Sequence, residues 1–183
     1  MTHYIRRKFI NSPFSGYHRR GAGESMIARE RSSFLLGIFN TIGERIDINS
    51  FNGRLRVQKI VYLLQGHPEF RKYLRFHFSM YFHGPYSPEL AFVYYNELKG
   101  TTPARVLLSK EALDYATEIT SMSTEDLEIL ATLAEAMRVN RGRADDEEIV
   151  DMVHELKPIF SREKISELLD HLRYLKVKYG LSW

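Results

Sequence analysis

Apolar residues recur at every third or fourth position along most of this chain, which is the spacing that places side chains on one face of an α-helix. In the first two thirds, these stripes predict helices over about 26–45, 53–66, 87–99 and 109–119. In the last third, helices are predicted to begin at Thr124, in the acidic tract 145–148 and at Ser161. The pattern therefore indicates a mostly helical protein.

The segment 76–82 follows a different period. Its apolar residues, three phenylalanines and Met80, alternate with His77, Ser79 and Tyr81. An alternation of two residues is typical of a strand with one buried face. A second short strand is predicted over 104–108. The fold class that follows is α+β, predominantly α-helical, with two or three short strands.

A tight corner separates the strand 76–82 from the next helix. Gly84 and Pro85 are expected to break the strand, because glycine permits an unusual backbone conformation or a close approach and proline stiffens the turn. Ser87, Pro88 and Glu89 are a strong helix start: a capping hydroxyl, a proline in the first turn and an acid at the positive end of the helix dipole.

The helix 53–66 carries its apolar residues on one face. Asn52 is expected to cap it. Gln58 lies on a different face from the apolar residues, together with Arg54 and Gln65. The tract 66–68, Gly-His-Pro, is expected to end this helix.

Length and composition set the domain organisation. The 183 residues suffice for one domain, and a hydrophobic content of 44% is ample for a core. Residues 1–25 are basic, contain three glycines and lack apolar periodicity, so they are predicted to be a flexible arm. The rest, 26–183, is predicted to be a single globular domain, with additional C-terminal helices over 121–183. The absence of cysteine and of any long apolar run favours a cytoplasmic protein without a membrane partner.

The charge distribution suggests a partner. Residues 1–83 carry fourteen Lys and Arg against five Asp and Glu, whereas residues 84–183 carry twelve against eighteen. A basic half of this kind is suited to nucleic acid or to an acidic protein surface. The candidate basic residues are Arg54, Arg56, Lys59, Arg71, Lys72 and Arg75.

Catalysis has little support in the sequence. The motifs G-x-S-x-G, G-x-x-x-x-G-K-[ST] and H-E-x-x-H are absent. The nearest group of histidines, His67, His77 and His83, has no usual metal-ligand spacing. We therefore expect no catalytic, metal or cofactor site, and a hydrolase is a distant third hypothesis.

Aromatic residues around the corner favour a protein partner instead. Phe82, Tyr86, Phe92, Tyr94 and Tyr95 exceed what one short helix can bury on a single side. Tyrosine and phenylalanine near arginine are typical of interface centres. Tyr86 and Tyr95 are the aromatic candidates for contact with a partner, and a homodimer is a further hypothesis.

Two motifs carry a resemblance to a known family. The segment VQKIVYLLQ at 57–65 is followed, after a short connection, by YFHGPYSPEL at 81–90, and LSKEALDYATEI follows at 108–119. This combination over residues 30–120 resembles the Panacea (SocA-like) antitoxin domain. It is even more similar to a related group of prokaryotic YwgA-like proteins.

The resemblance implies a winged-helix-like core over about 26–120 without catalytic residues. Panacea-type members bind a toxin and neutralise it, or deliver it to a protease as adaptors. It also implies that Gln58 and Tyr62 pack or hydrogen-bond beneath the corner. The motif residues are expected to be structural: Gln58, Tyr62, His83, Gly84, Pro85, Ser87, Pro88 and Glu89.

The leading hypothesis is therefore a non-enzymatic regulatory module that binds a partner protein, such as a toxin. The alternative is a nucleic-acid-binding regulator of winged-helix type, in which the end of one helix enters the major groove. The two hypotheses differ in which residues matter, since the first depends on the aromatic groups and the second on the basic ones.

Overall fold

The structure, a computed structural model, describes residues 22–183 and the side chains from Glu30 onward. Most of the predicted arm, 1–25, lies outside the described residues, and its last four residues belong to a helix. The elements in order are α1 Ala22–Thr41, α2 Phe51–Leu64, α3 Pro68–Tyr73, β1 Ser79–Tyr81, β2 Gly84–Tyr86, α4 Pro88–Asn96, α5 Lys110–Ser121, α6 Thr124–Asn140, α7 Asp146–Leu156 and α8 Arg162–Lys178. The predicted α+β class with a predominance of helix is confirmed.

The strand predictions need two corrections. Of the predicted strand 76–82, only β1 is a strand. Gly84 and Pro85, predicted to break the strand, instead belong to β2, which pairs antiparallel with β1. A left-handed φ of +79° at Gly84 lets the chain reverse at once and pair with itself. The predicted strand 104–108 joins no ladder in the described chain, because Ala104 donates its N–H to the Ser33 carbonyl of α1 instead.

Helix boundaries follow hydroxyl and carboxylate caps. Ser87 caps α4 as predicted, and Ser109 and Ser161, where the next helices are predicted to begin, cap α5 and α8. The prediction of Asn52 as the cap of α2 is wrong. Ser50 takes that role, since its Oγ accepts from the Gly53 N–H while donating to the Asp47 carboxylate.

Two helices form the centre of the core. The last two turns of α2, residues 57–64, are buried throughout, and so is α6 from 127 to 136. They pack directly against each other, and α6 also packs against α7 and α8. The hairpin β1–β2 rests on this central pair through β2. Apolar residues from α1 to the C-terminus join in one cluster, so the C-terminal helices share a core with the motif region.

Within residues 22–183, no helix combines the length and the apolar character needed to cross a bilayer.

The corner between β2 and α4 is fastened to α2 by one glutamine. The Gln58 side chain is buried, although the sequence places it off the apolar face. Its Nε2 donates to the Ser87 carbonyl at 3.0 Å, and its Oε1 accepts from the Ser87 N–H at 2.9 Å. Gln58 thus pairs with Ser87 as a neighbouring strand would, and the predicted contact of Gln58 beneath the corner is confirmed.

Tyr62 makes a different contact from the one the resemblance implies. Its ring packs edge-on to Phe78, with centroids 5.2 Å apart. Its hydroxyl, however, donates to Glu135 Oε2 of α6 at 2.9 Å. Tyr62 therefore links α2 to α6, whereas Gln58 holds the corner.

Replacement of Gln58 by alanine is expected to lower the free energy of unfolding by about 2 kcal/mol, because the buried N–H and C=O of Ser87 lose their partner. Urea denaturation followed by fluorescence of the only tryptophan, Trp183, measures this loss. The matched control is Gln65→Ala, which removes the same pair of bonds from the less buried Phe76 and should cost less. Equal stability of Gln58→Ala and the wild type would contradict the structural role of this pair.

Candidate functional site

The end of the hairpin carries a group of exposed aromatic rings. Phe51, Tyr81 and Phe82 leave 54%, 57% and 76% of their surface accessible. The centroid of Tyr81 lies 5.0 Å from that of Phe82 and 5.9 Å from that of Tyr86, while Phe51 lies 5.1 Å from His83. We call these five residues, Phe51, Tyr81, Phe82, His83 and Tyr86, the tip patch.

The alternation predicts Phe82 on the same strand face as Phe76, Phe78 and Met80, and this is wrong. It lies in the turn after β1, where the alternation of the strand no longer fixes the direction of the side chain. Tyr86, a predicted partner-binding residue, is half-buried within the tip patch. Tyr95, the other, is exposed on α4 against Tyr94, and the ring contacts that join the tip patch do not include it.

Beneath the tip patch lies a buried group of charged side chains. The Lys59 ammonium of α2 donates to the Pro85 carbonyl at 2.6 Å. The Lys157 ammonium, just after α7, donates to the Phe82 carbonyl at 2.6 Å and pairs with the Glu128 carboxylate of α6. We call Lys59, Glu128 and Lys157 the tip support. Two lysines thus hold two carbonyls of the same hairpin.

Two physical constraints require glycine at position 84. Its φ of +79° is rarely adopted by other residues. In addition, a Cβ atom there would overlap the Thr132 hydroxyl of α6. Both the unusual backbone conformation and the close approach expected at this glycine are confirmed.

The charge of the tip support depends on pH near neutrality. Burial is the main cause that lowers the pKa of Lys59 to about 7, and the charge of Lys157 acts in the same direction. The Glu128 carboxylate opposes this shift in part. His83 approaches the same carboxylate from the hairpin turn, with Nδ1 3.2 Å from Glu128 Oε1.

Four of the six basic candidates are bound to backbone carbonyls. Arg54 donates to Ile48, and Arg56 donates to Thr120 and Met122 while pairing with Glu44. Lys59 is inside the tip support, and Arg71 donates to Gln65, Gly66 and Ser182. Lys72 and Arg75 are exposed. The basic head of α2 therefore ties connections of the fold together, and it does not form one open basic surface with the other candidates.

The residues of the tip support that come from the C-terminal helices have no counterpart among the sequence-predicted site residues. Glu128, Thr132 and Glu135 interrupt the otherwise apolar stretch 127–137 of α6 at spacings of four and three residues. This spacing places them on one face of α6, where Glu128 and Thr132 meet the hairpin and Glu135 meets Tyr62. A buried polar face on a core helix was the available signal.

His67, His77 and His83 lie in different environments and do not form one group. His67 is buried, caps α3 and has a pKa lowered chiefly by burial. His77 is exposed beside Glu89, and His83 lies in the hairpin turn rather than on a strand face shared with His77. Among the side chains described, those of residues 30–183, no three His, Asp or Glu residues are grouped so that they could hold a metal ion.

No family model matches the chain, and neither a curated protein nor a solved structure matches it.

The titration of Lys59 predicts how stability depends on pH. The unfolded lysine keeps its proton up to its ordinary pKa of 10.5, whereas the folded one releases it near 7. Between these values the unfolded state binds more protons, so the contribution of Lys59 to the free energy of unfolding rises with pH. Between pH 7 and pH 9, the free energy of unfolding of Lys59→Met should therefore rise by roughly 2 kcal/mol less than that of the wild type.

The measurement is urea denaturation of both proteins across this pH range. Lys110→Met is the matched control, since that lysine is exposed and pairs only with Asp114 on the surface. It should leave the pH dependence of the wild type unchanged. Parallel pH profiles for the wild type and Lys59→Met would show that burial does not depress the pKa of this ammonium.

Proposed function

We propose that this protein is a non-enzymatic regulatory module of the antitoxin or adaptor type, and that it binds a partner protein through the tip patch. The observation that carries the proposal is the set of exposed aromatic rings at the end of a hairpin anchored by two buried lysines. Aromatic side chains dominate the centres of protein interfaces because they bury a large area with few rotatable bonds.

The hairpin that carries the tip patch is held in place by buried side chains, which favours binding. Binding is weakened by the entropy of ordering mobile groups, so a surface that is already fixed loses less on association. Lys157 holds the turn through the Phe82 carbonyl, and Lys59 holds β2 through the Pro85 carbonyl. Two buried lysines bond two carbonyls of this short surface hairpin. Such bonds are consistent with a hairpin that is kept in one position for binding.

The resemblance to the Panacea domain supports the same proposal. Its motif residues Gln58, Gly84 and Ser87 build and fasten the corner from which the tip patch projects. We propose that the motif maintains a binding surface, and that the finer description is a winged-helix-like core formed by α1, α2, α4 and the hairpin. A cytoplasmic, prokaryotic protein that captures a toxin fits this description.

The tip support resembles a catalytic constellation in composition, but its bonds suggest a structural role. Its two ammonium groups donate to main-chain carbonyls and to Glu128, so these donors hold the hairpin. Two surface grooves of the described residues lie elsewhere, one lined by α5 and the end of α8 and the other by α7 and α8. We therefore propose binding and not catalysis.

The proposal predicts that Phe82→Ala lowers the affinity for the partner purified from the source cell by at least about tenfold, as expected for an interface hot spot. Its side chain is mostly exposed, so the free energy of unfolding should change little. Isothermal titration calorimetry measures the affinity. Tyr174→Ala on α8, where the ring is 53% exposed, is the matched control and should bind as the wild type does. Unchanged affinity of Phe82→Ala would contradict binding through the tip patch.

The alternative function, nucleic-acid binding, is favoured by one observation: Lys72 and Arg75 are both exposed close together in the chain. If nucleic acid is the partner, the logarithm of the affinity should fall steeply with the logarithm of salt concentration, and Lys72→Ala with Arg75→Ala should reduce that slope by about two. Fluorescence anisotropy with a labelled DNA duplex measures both. Our proposal predicts that Lys72→Ala alone keeps the affinity of the wild type for its protein partner to within about threefold, since exposed rim charges contribute little.

A further inference from the structure

The hairpin leaves one edge of its sheet open. β2 pairs with β1 on one side and rests on α2 and α6. On the other side of β1, no strand within residues 22–183 continues the sheet. A strand edge of this kind presents backbone N–H and C=O groups that can pair with another chain.

The identity of residue 85 shows which groups face the open edge. In an antiparallel pair, directly opposite residues alternate between bonded and non-bonded pairs. Met80 lies opposite Pro85, and proline has no N–H to donate. The pair Met80–Pro85 is therefore the non-bonded one, which agrees with the Pro85 carbonyl being turned to Lys59. It follows that the N–H and C=O of Met80 point away from β2.

The same edge continues toward the start of the extended segment. Phe76 and Phe78 precede β1, and an alternation of two residues continued from Met80 predicts that their main-chain groups lie on the same side as those of Met80. At Phe76 this side is already occupied: the Gln65 side chain donates to its carbonyl at 3.0 Å and accepts from its N–H at 2.9 Å. Gln65 thus takes the place of a neighbouring strand. Within the described chain, no corresponding side chain bonds the main chain of Phe78 or Met80.

The exposed side chains along this segment differ from end to end. Arg75 and His77 are exposed at one end, and the His77 ring is 89% accessible while lying 3.5 Å from Glu89. Glu89 also pairs with Arg31, so its charge is shared. Tyr81 and Phe82 are exposed at the other end. A chain laid along the edge would meet positive charge at one end and aromatic rings at the other.

We infer that the open edge of β1 receives an extended segment of a partner protein as a third strand. This segment pairs with the main chain at Phe78 and Met80, and it carries an acidic side chain beside Arg75 and an apolar side chain beside Tyr81. The inference rests on the proposed function and specifies how the partner is recognised: main-chain bonds supply affinity, and the two ends select the sequence.

The test uses a blocked synthetic peptide as the probe. It alternates valine and threonine, has phenylalanine at one end and two glutamates at the other, and is compared with a peptide in which lysine replaces both glutamates. Binding is followed by amide hydrogen exchange in the full chain. We expect the glutamate peptide to slow exchange at the Phe78 and Met80 amides at least tenfold. The amides of Ser79 and Tyr81, which already face β2, serve as internal controls.

Arg75→Glu is the matched variant, since this side chain is exposed and its change leaves the core intact. It should weaken binding of the glutamate peptide about tenfold and favour the lysine peptide. No binding of the glutamate peptide, or binding without slower exchange at Phe78 and Met80, would overturn the strand addition.

Failure of the strand addition can be told apart from failure of the proposed function. If Phe82→Ala still lowers affinity for the natural partner while the Phe78 and Met80 amides stay unprotected in that complex, only the strand addition is wrong. If those amides become protected and Phe82→Ala has no effect, the strand addition holds and binding through the tip patch is wrong.

Discussion

The two ammonium groups beneath the hairpin determine where its aromatic end is placed. Lys59 and Lys157 come from opposite parts of the chain, and each donates to a carbonyl within four residues of the turn. Burying an ammonium group without a partner is strongly unfavourable. If the hairpin moved away, both lysines would lose the carbonyls that accept their hydrogen bonds. One acid, Glu128, offsets part of this charge. The position of the hairpin is therefore coupled to the packing of the helices that supply these side chains.

This coupling gives the C-terminal helices a role in the candidate site. Residues 121–183 lie beyond the family-like motifs, yet they provide Glu128 and Lys157 to the tip support and Thr132 as the wall against Gly84. The motif region supplies the hairpin and its aromatic rings, and the C-terminal helices fix it from below.

Local signals in the sequence predicted much of the fold, while the site depends on contacts between distant residues. The periodicities and serine caps identified the helices, since a cap acts over three residues. The sequence does not predict the hairpin, because Gly84-Pro85 is typical of a strand end and the pairing of β2 with β1 depends on a single positive φ at Gly84. The sequence predicts Lys59 to be one of the surface bases because it follows two arginines, although its partner carbonyl is 26 residues away in sequence. Such pairings have no periodicity, so the motif at 57–65 includes Lys59 without indicating that its side chain reaches the hairpin, and Lys157 lies outside the motifs.

The most direct test of this account is the free energy of opening at the Gly84 and Tyr86 amides, measured by native-state hydrogen exchange. If the buried lysines fix the hairpin to the core, these amides should open only with global unfolding, at the same free energy as the Leu63 amide in the buried part of α2. Opening of the hairpin amides at a free energy several kcal/mol below that of Leu63 would contradict the account. It would show that the aromatic end moves independently of the helices beneath it.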